Sequence, residues 1–218
     1  MKPSFFVAIE GIDGSGKTTQ CQRVQERLRS LGLSVITCTD PGGTEVGAKV
    51  RDLLLNSNGE IEPVTEALLF MASRAELVSK VIQPALATGR VVLSDRFLLS
   101  NVAYQGYAGG LGADAIWEAG LVAVGDAVPD LTVILDLPVE AAMARRKAKS
   151  DRIEQRPEQF HNAVREGFLA EARRQPERIR VVDARLPIEE VSNRIYQMIV
   201  DGLLAKYGPS ALAPTGTP

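Results

Sequence analysis

The 218-residue chain has little of what redox, metal and nucleic-acid proteins rely on. Cys21 and Cys38 are its only cysteines and His161 its only histidine. So few soft ligands cannot build a zinc site, and they imply no disulfide framework. A histidine-dependent triad would have to use His161, and no Gly-x-Ser-x-Gly motif accompanies it. Long apolar runs are missing as well. No stretch nears the ~18 uninterrupted residues of a membrane span. The run Phe5–Ile9 stops at Glu10, too short for a signal-peptide core. Nor is there a large charge excess: the formal net charge is -2, which argues against general electrostatic binding to nucleic acid. These absences lead us to expect a reduced, cytoplasmic protein without membrane or nucleic-acid partners.

What is present is ordinary for a globular chain, with 45% hydrophobic and 24% charged residues. Short apolar runs alternate with helical patterns almost from end to end. Strands are expected at Phe5–Ile9, Ser34–Thr39, Val91–Leu93, Leu131–Asp136 and Ile179–Asp183. Helices are expected at Lys17–Leu31, Glu45–Leu55, Val64–Ala87, Val139–Lys147, Pro157–Arg174 and Pro187–Lys206. Two shorter ones fall between Leu98 and Val124. Such alternation predicts one α/β domain, residues 1–207, with a parallel sheet covered on both faces. The tail 208–218 is rich in turn formers and is expected to be disordered.

The strongest chemical signal is Gly11-Ile12-Asp13-Gly14-Ser15-Gly16-Lys17-Thr18, followed by Thr19. It fits G-x-x-x-x-G-K-[ST], placed between a strand and a helix as that motif requires. Glycines let successive N–H groups turn inward around a polyphosphate, and the helix N-terminus adds partial positive charge. Lys17 is expected to be exposed to phosphate, outside any packed core, and to reach the β- and γ-phosphates of ATP, with the Thr18 hydroxyl on Mg²⁺. A guanine-reading Asn-Lys-x-Asp is missing, which counts against a GTPase switch, and a motor or large ATPase would need more chain.

Four further segments resemble the thymidylate kinases, P-loop enzymes that move the γ-phosphate of ATP onto dTMP. They are Asp40-Pro41-Gly42-Gly43-Thr44; Leu69-Phe70-Met71-Ala72-Ser73-Arg74; Asp95-Arg96-Phe97 with Ser100-Asn101-Val102-Ala103-Tyr104-Gln105-Gly106; and Asp151-Arg152-Ile153-Glu154 with Phe160-His161 and Val164–Phe168. The resemblance covers residues 5 to about 200. It implies a P-loop NTPase three-layer fold with five parallel strands in the order 2-3-1-4-5, a homodimer, and ATP, dTMP and Mg²⁺ as reaction partners.

The resemblance also implies roles for individual residues. Phe70 would stack on thymine and Arg74, four residues on and so on the same helix face, would bond its edge, joined by Asn101 and Gln105, with Ser100 and Pro41 also binding the substrate. Standing alone, Phe70 reads as core. Tyr104 is similar to residues that crowd the sugar 2′ position, or is a half-buried core tyrosine. Asp13 would meet the sugar or the metal. Arg96 and Arg51 would grip the acceptor phosphate, Arg51 having a solvated helix face as its alternative. Asp95 suits a metal-linked acid at a strand end, whereas Asp136 reads as structural.

The charged stretch 145–156 resembles the family's LID. The P-loop carries no arginine, so Arg146 and Arg152 are the expected sources of charge on the transferred group. The chain departs from the family at Thr39-Asp40 (commonly Arg-Glu), Phe97 (Tyr or His) and Phe168 (Tyr). His161, Cys21 and Cys38 are expected to be structural. Other small-molecule kinases are the nearest alternative, and a nucleotide-dependent switch protein the more distant one.

Overall fold

The computed structural model describes residues 3–57, 59–145 and 151–212. Its sheet is parallel throughout, with strands β1 (Phe5–Glu10), β2 (Val35–Thr39), β3 (Val91–Asp95), β4 (Leu131–Asp136) and β5 (Ile179–Asp183). They lie in the order β2-β3-β1-β4-β5, as the family resemblance implies. Apolar β1 and β3 are central and buried along their whole length, whereas edge strand β2 is buried only at Val35 and half-buried or exposed beyond it.

The two-residue period of β1 feeds two cores. Phe5, Val7 and Ile9 enter one, which includes Val24 and Leu28 from α1 (Lys17–Ser30) and Ile195 and Ile199 from α9 (Ile188–Tyr207). Phe6 and Ala8 enter the other, with Leu77, Ile82, Phe97 and Val124. Buried positions on both faces explain why these strands read as continuous apolar runs.

Remaining helices are α2 (Glu45–Asn56), α3 (Pro63–Leu77), α4 (Gln83–Ala87), α5 (Leu98–Asn101), α6 (Ala113–Val124), α7 (Val139–Ala144) and α8 (Glu158–Arg174). The single helix expected over Val64–Ala87 is instead α3, a π turn at Val78–Ile82, and α4. Pro84 lacks an N–H and its ring crowds the carbonyl four residues back, which widens the preceding turn. Part of the tail departs from expectation too, while residues 213–218 lie outside the described residues. Gly208, at φ 71, ends α9, and Pro209–Leu212 form a 3₁₀ turn with Ala211 buried against the core.

Strand register places the functional loops together. Ile9 and Thr39 both pair with Asp95, so the loops after β1, β2 and β3 leave the sheet at one end. In open α/β sheets, ligands bind outside the carboxyl ends of the strands.

Candidate active site

The loop after β1 turns only because its glycines tolerate left-handed backbone. Gly11, Gly14 and Gly16 have φ of 139, 88 and 97. A Cβ on Gly14 would lie 2.3 Å from the Ala142 carbonyl oxygen, so only glycine lets the loop pass α7. Gly16 is the N-cap of α1, which receives no side-chain cap. The helix therefore opens on uncapped N–H groups, the arrangement that attracts anions.

Lys17 packs in neither apolar core. It is buried, with Nζ donating to the carbonyls of Gly11 (3.1 Å) and Ile12 (3.0 Å), and burial pushes its pKa down to about 8. The P-loop curls over its own lysine, whose side chain keeps only a small exposed part. Thr18 and Thr19 are exposed beyond it. The Thr18 hydroxyl donates to Asp95 Oδ2 at 2.5 Å.

Arg96 is the hub of the site. Its φ of 70 is unusual for a non-glycine residue. Its guanidinium donates to the Gly11 carbonyl and Ser100 Oγ, both at 2.9 Å, to Tyr104 at 3.2 Å, and to Asp13. The Tyr104 hydroxyl also donates to Asp13, at 3.0 Å. Burial works against ionised Asp13, but Arg96 and Lys17 outweigh it and hold the carboxyl well below the usual range.

Glu10 supports this turn from beneath. Its buried carboxylate accepts from the Phe97 N–H (2.8 Å), the Ser100 N–H (3.3 Å) and Ser100 Oγ (2.5 Å). Burial raises its pKa to about 7. Sequence reasoning passed over Glu10; the signal was an acid closing an otherwise apolar strand.

The loop after β2 begins with a cis Asp40–Pro41 peptide. The Thr44 hydroxyl caps α2 by accepting from the Gly47 N–H, and Arg51 on that helix donates to the Pro41 carbonyl at 2.8 Å. Arg74 is almost fully buried: Nε donates to Asp40 at 2.5 Å and Nη1 to Asn101 Oδ1 at 3.0 Å. The helix-face pairing of Phe70 with Arg74 is present, yet much of this guanidinium is committed to protein.

All these loops open on one cavity of about 920 Å³. One end is walled by Asp13, Gly14, Ser15, Gly16, Lys17, Thr18 and Thr19, and the middle by Asp95 and Arg96. The other end has Pro41, Arg51, Phe70 and Arg74, with Ser100, Asn101, Tyr104 and Gln105. Gly11 and Ile12 are buried behind the loop and outside that wall. Arg152 is outside it too: its side chain donates to the Leu54 carbonyl and to Glu66. Arg146 lies outside the described residues. Arg145, passed over within the charged run, does line the cavity beside Ala184.

Of the departures from the family pattern, Thr39 and Asp40 line the cavity, whereas Phe97 and Phe168 are packed in the cores. Phe97 packs edge-on to Phe6, with ring centroids 4.9 Å apart, and Phe168 is buried against Tyr104. Asp136 pairs with Arg165 through two hydrogen bonds. His161 and Cys21 are buried.

The thymidylate kinase family profile matches residues 9–195. The chain belongs to the thymidylate kinase family. Among its relatives, the thymidylate kinase of Syntrophotalea carbinolica is 43% identical over 202 residues, 88% of this chain and 94% of that one. That of Thermomicrobium roseum is 44% identical over 91% of this chain and 95% of its own. The crystal structure of thymidylate kinase from Ehrlichia chaffeensis superposes with a TM-score of 0.75 at 33% identity, covering 91% of this chain and 99% of that one. In this thymidylate kinase family member the phosphate loop and the Phe70–Arg74 helix line one cavity. No helix among the described residues is long and apolar enough to cross a membrane.

Proposed function

We infer that this chain transfers the γ-phosphate of ATP to dTMP, giving ADP and dTDP. The observation that carries this reading is the position of Arg96. It stands in one cavity between a phosphate loop and a pocket bearing an aromatic face with amide and guanidinium edges. Phosphoryl transfer of this kind needs positioning and charge neutralisation more than covalent help.

The P-loop N–H groups and Lys17 hold the donor phosphates, with Arg145 at the donor end. Arg96, oriented by Asp13 and Ser100, holds the acceptor phosphate, and Arg51 lies beside it. Phe70 stacks on the pyrimidine, and Arg74, Asn101 and Gln105 meet its edge. Tyr104 closes the space beside the sugar. Arg152 acts through Glu66, as a positioning residue.

Thr18 and Asp95 form an oxygen-only donor set, which suits a hard cation such as Mg²⁺ better than zinc or copper. No group of three His, Cys, Asp or Glu among the described residues could hold a metal without help, so the ion would share its shell with nucleotide phosphates. When bound, it neutralises charge on those phosphates.

A homodimer in the cytoplasm completes the reading. Helix α3, packed against both α2 and α6, and those two neighbours expose Leu53, Leu68, Leu121 and Val122, the last at 88%. Apolar exposure on adjoining helices suits a contact between protein copies.

A coupled ADP-release assay over dTMP, dUMP, dCMP, dGMP and AMP, with and without Mg²⁺, tests the assignment. Turnover should be greatest with dTMP and should vanish without the metal. Equal or greater turnover with AMP or dGMP would overturn it.

A further inference from the structure

Glu66 is in the first turn of α3, where an acid would ordinarily complement the helix N-terminus from the solvent side. It is instead 1% exposed. Its carboxylate collects donors from two separate parts of the chain. Gln105 Nε2 donates to Oε1 at 2.8 Å. Arg156 Nη2 donates to Oε1 at 3.1 Å and Oε2 at 2.8 Å, and Arg152 donates to Oε2. A buried charge persists only when paired and hydrogen-bonded, and Glu66 achieves this by joining the 151–156 turn to the base end of the cavity.

On the pocket side the network continues in one direction. Gln105 Oε1 accepts from Asn101 Nδ2 at 2.8 Å, and Asn101 Oδ1 accepts from Arg74, itself paired with Asp40. Arginine offers only donors and an ionised carboxylate only acceptors. With Arg74 at one end and Glu66 at the other, neither amide can flip without setting donor against donor or acceptor against acceptor. Glu66 therefore fixes which amide atoms Gln105 and Asn101 turn towards the cavity.

On the other side, Arg152 and Arg156 belong to a turn whose opposite face walls the same cavity through Asp151, Ile153 and Glu154. Asp151 Oδ1 accepts from the N–H groups of Ile153 and Glu154, both at 2.9 Å, and Ile153 is buried. The turn is a self-braced unit with one face on the cavity and the other on Glu66.

We propose that Glu66 is a positioning residue that couples the two substrates, so that a nucleobase ordering Arg74, Asn101 and Gln105 also seats the 151–156 turn against the donor nucleotide. This rests on the proposed transfer from ATP to dTMP. Coupling of this kind is reciprocal: dTMP tightens ATP by the factor with which ATP tightens dTMP.

The test is calorimetric titration of the full chain with the β,γ-imido analogue of ATP, with and without saturating dTMP. In the parent, dTMP should tighten the analogue by about 5-fold or more, the lower end of common allosteric coupling. Glu66→Gln introduces an amide donor where three donors already converge, and should bring that factor to within about 2-fold of unity. Glu66→Asp, which keeps the charge, should restore part of it. A role confined to stability would lower Tm and leave the factor unchanged, and that result would overturn the proposal. So would a parent in which the two ligands bind independently. If Glu66→Gln fails to fold, the double variant Arg152→Gln/Arg156→Gln decides, since those side chains are 20% and 26% exposed and their loss spares Gln105. Retention of the parent factor in that variant would equally overturn the proposal. A parent that does not phosphorylate dTMP defeats the function itself, an outcome separable from a working kinase whose coupling ignores Glu66.

Discussion

Thr18 and Asp95, separated by 77 residues in the chain, share a hydrogen bond of 2.5 Å. It ties the first helical turn after the phosphate loop to the end of β3. The bond orients one Asp95 oxygen towards the P-loop and keeps the carboxylate in a mostly buried position. Because β1 and β3 are paired in register, with Ile9 opposite Asp95, the sheet itself sets this distance.

Asp95→Asn can still accept the Thr18 proton through its amide oxygen, so the fold should survive. It removes the charge that would attract the metal. The Mg²⁺ concentration for half-maximal turnover should rise at least ~10-fold, the scale of a lost partner in a metal shell. A titration curve that overlays the parent's would exclude Asp95 from the metal site.

Lys17 titrates unusually low, at about 8, because burial opposes its charge. A bound polyphosphate favours the charged form and raises that pKa. Near pH 8.5 much of the lysine is neutral before binding and protonated after it, so ATP should bind with uptake of a fraction of a proton. At pH 6.5 the lysine is charged throughout and this uptake should disappear. Calorimetry in two buffers of different ionisation enthalpy measures it, and Lys17→Met should abolish the pH 8.5 component together with nearly all turnover.

Glu10 has its pKa raised from 4.5 to about 7 by burial. Below pH 4.5 it is protonated whether the chain is folded or unfolded. As pH rises from 4.5 to 7 the unfolded chain ionises first, so Glu10 withdraws stability over that window, by about 3 kcal/mol at most. Urea unfolding at pH 5 and pH 8 should show Glu10→Gln losing less stability than the parent over that interval. Parallel pH profiles for the two proteins would refute the burial argument.

Phe70 and Arg74 share a helix face but should respond differently to truncation. Phe70 is half-buried on the cavity, so Phe70→Ala should weaken dTMP by about 1 kcal/mol, an aromatic contact energy, and leave ATP unchanged. Arg74→Ala would strand Asp40, whose side chain is inaccessible to solvent. It should lower stability by about 3 kcal/mol or more. Thermal unfolding beside dTMP titration separates the two, and an Arg74→Ala variant as stable as the parent would show that the Asp40 pair contributes little.

What the sequence by itself determined here is everything carried by neighbouring residues. The glycines of the P-loop and the alternating apolar runs are local instructions, since φ preferences and side-chain periods act over a few residues. Those runs mark all five strands. Their order came from the family resemblance, because sheet order depends on contacts across the fold. Which charge meets which was decided by tertiary structure alone. Lys17 read as a residue facing the phosphates, and the curl of its own loop gave its ammonium two carbonyl partners as well. Arg74 read as a base contact, and the packing of α3 beside the Asp40 loop gave it a carboxylate first. Arg152 read as a partner for the transferred phosphate, and Glu66, 86 residues earlier, holds its guanidinium. The physical reason is common to all three. A long cationic side chain can satisfy its donors at many places, and the outcome depends on which carboxylates and carbonyls the folded sheet and helices bring within its reach.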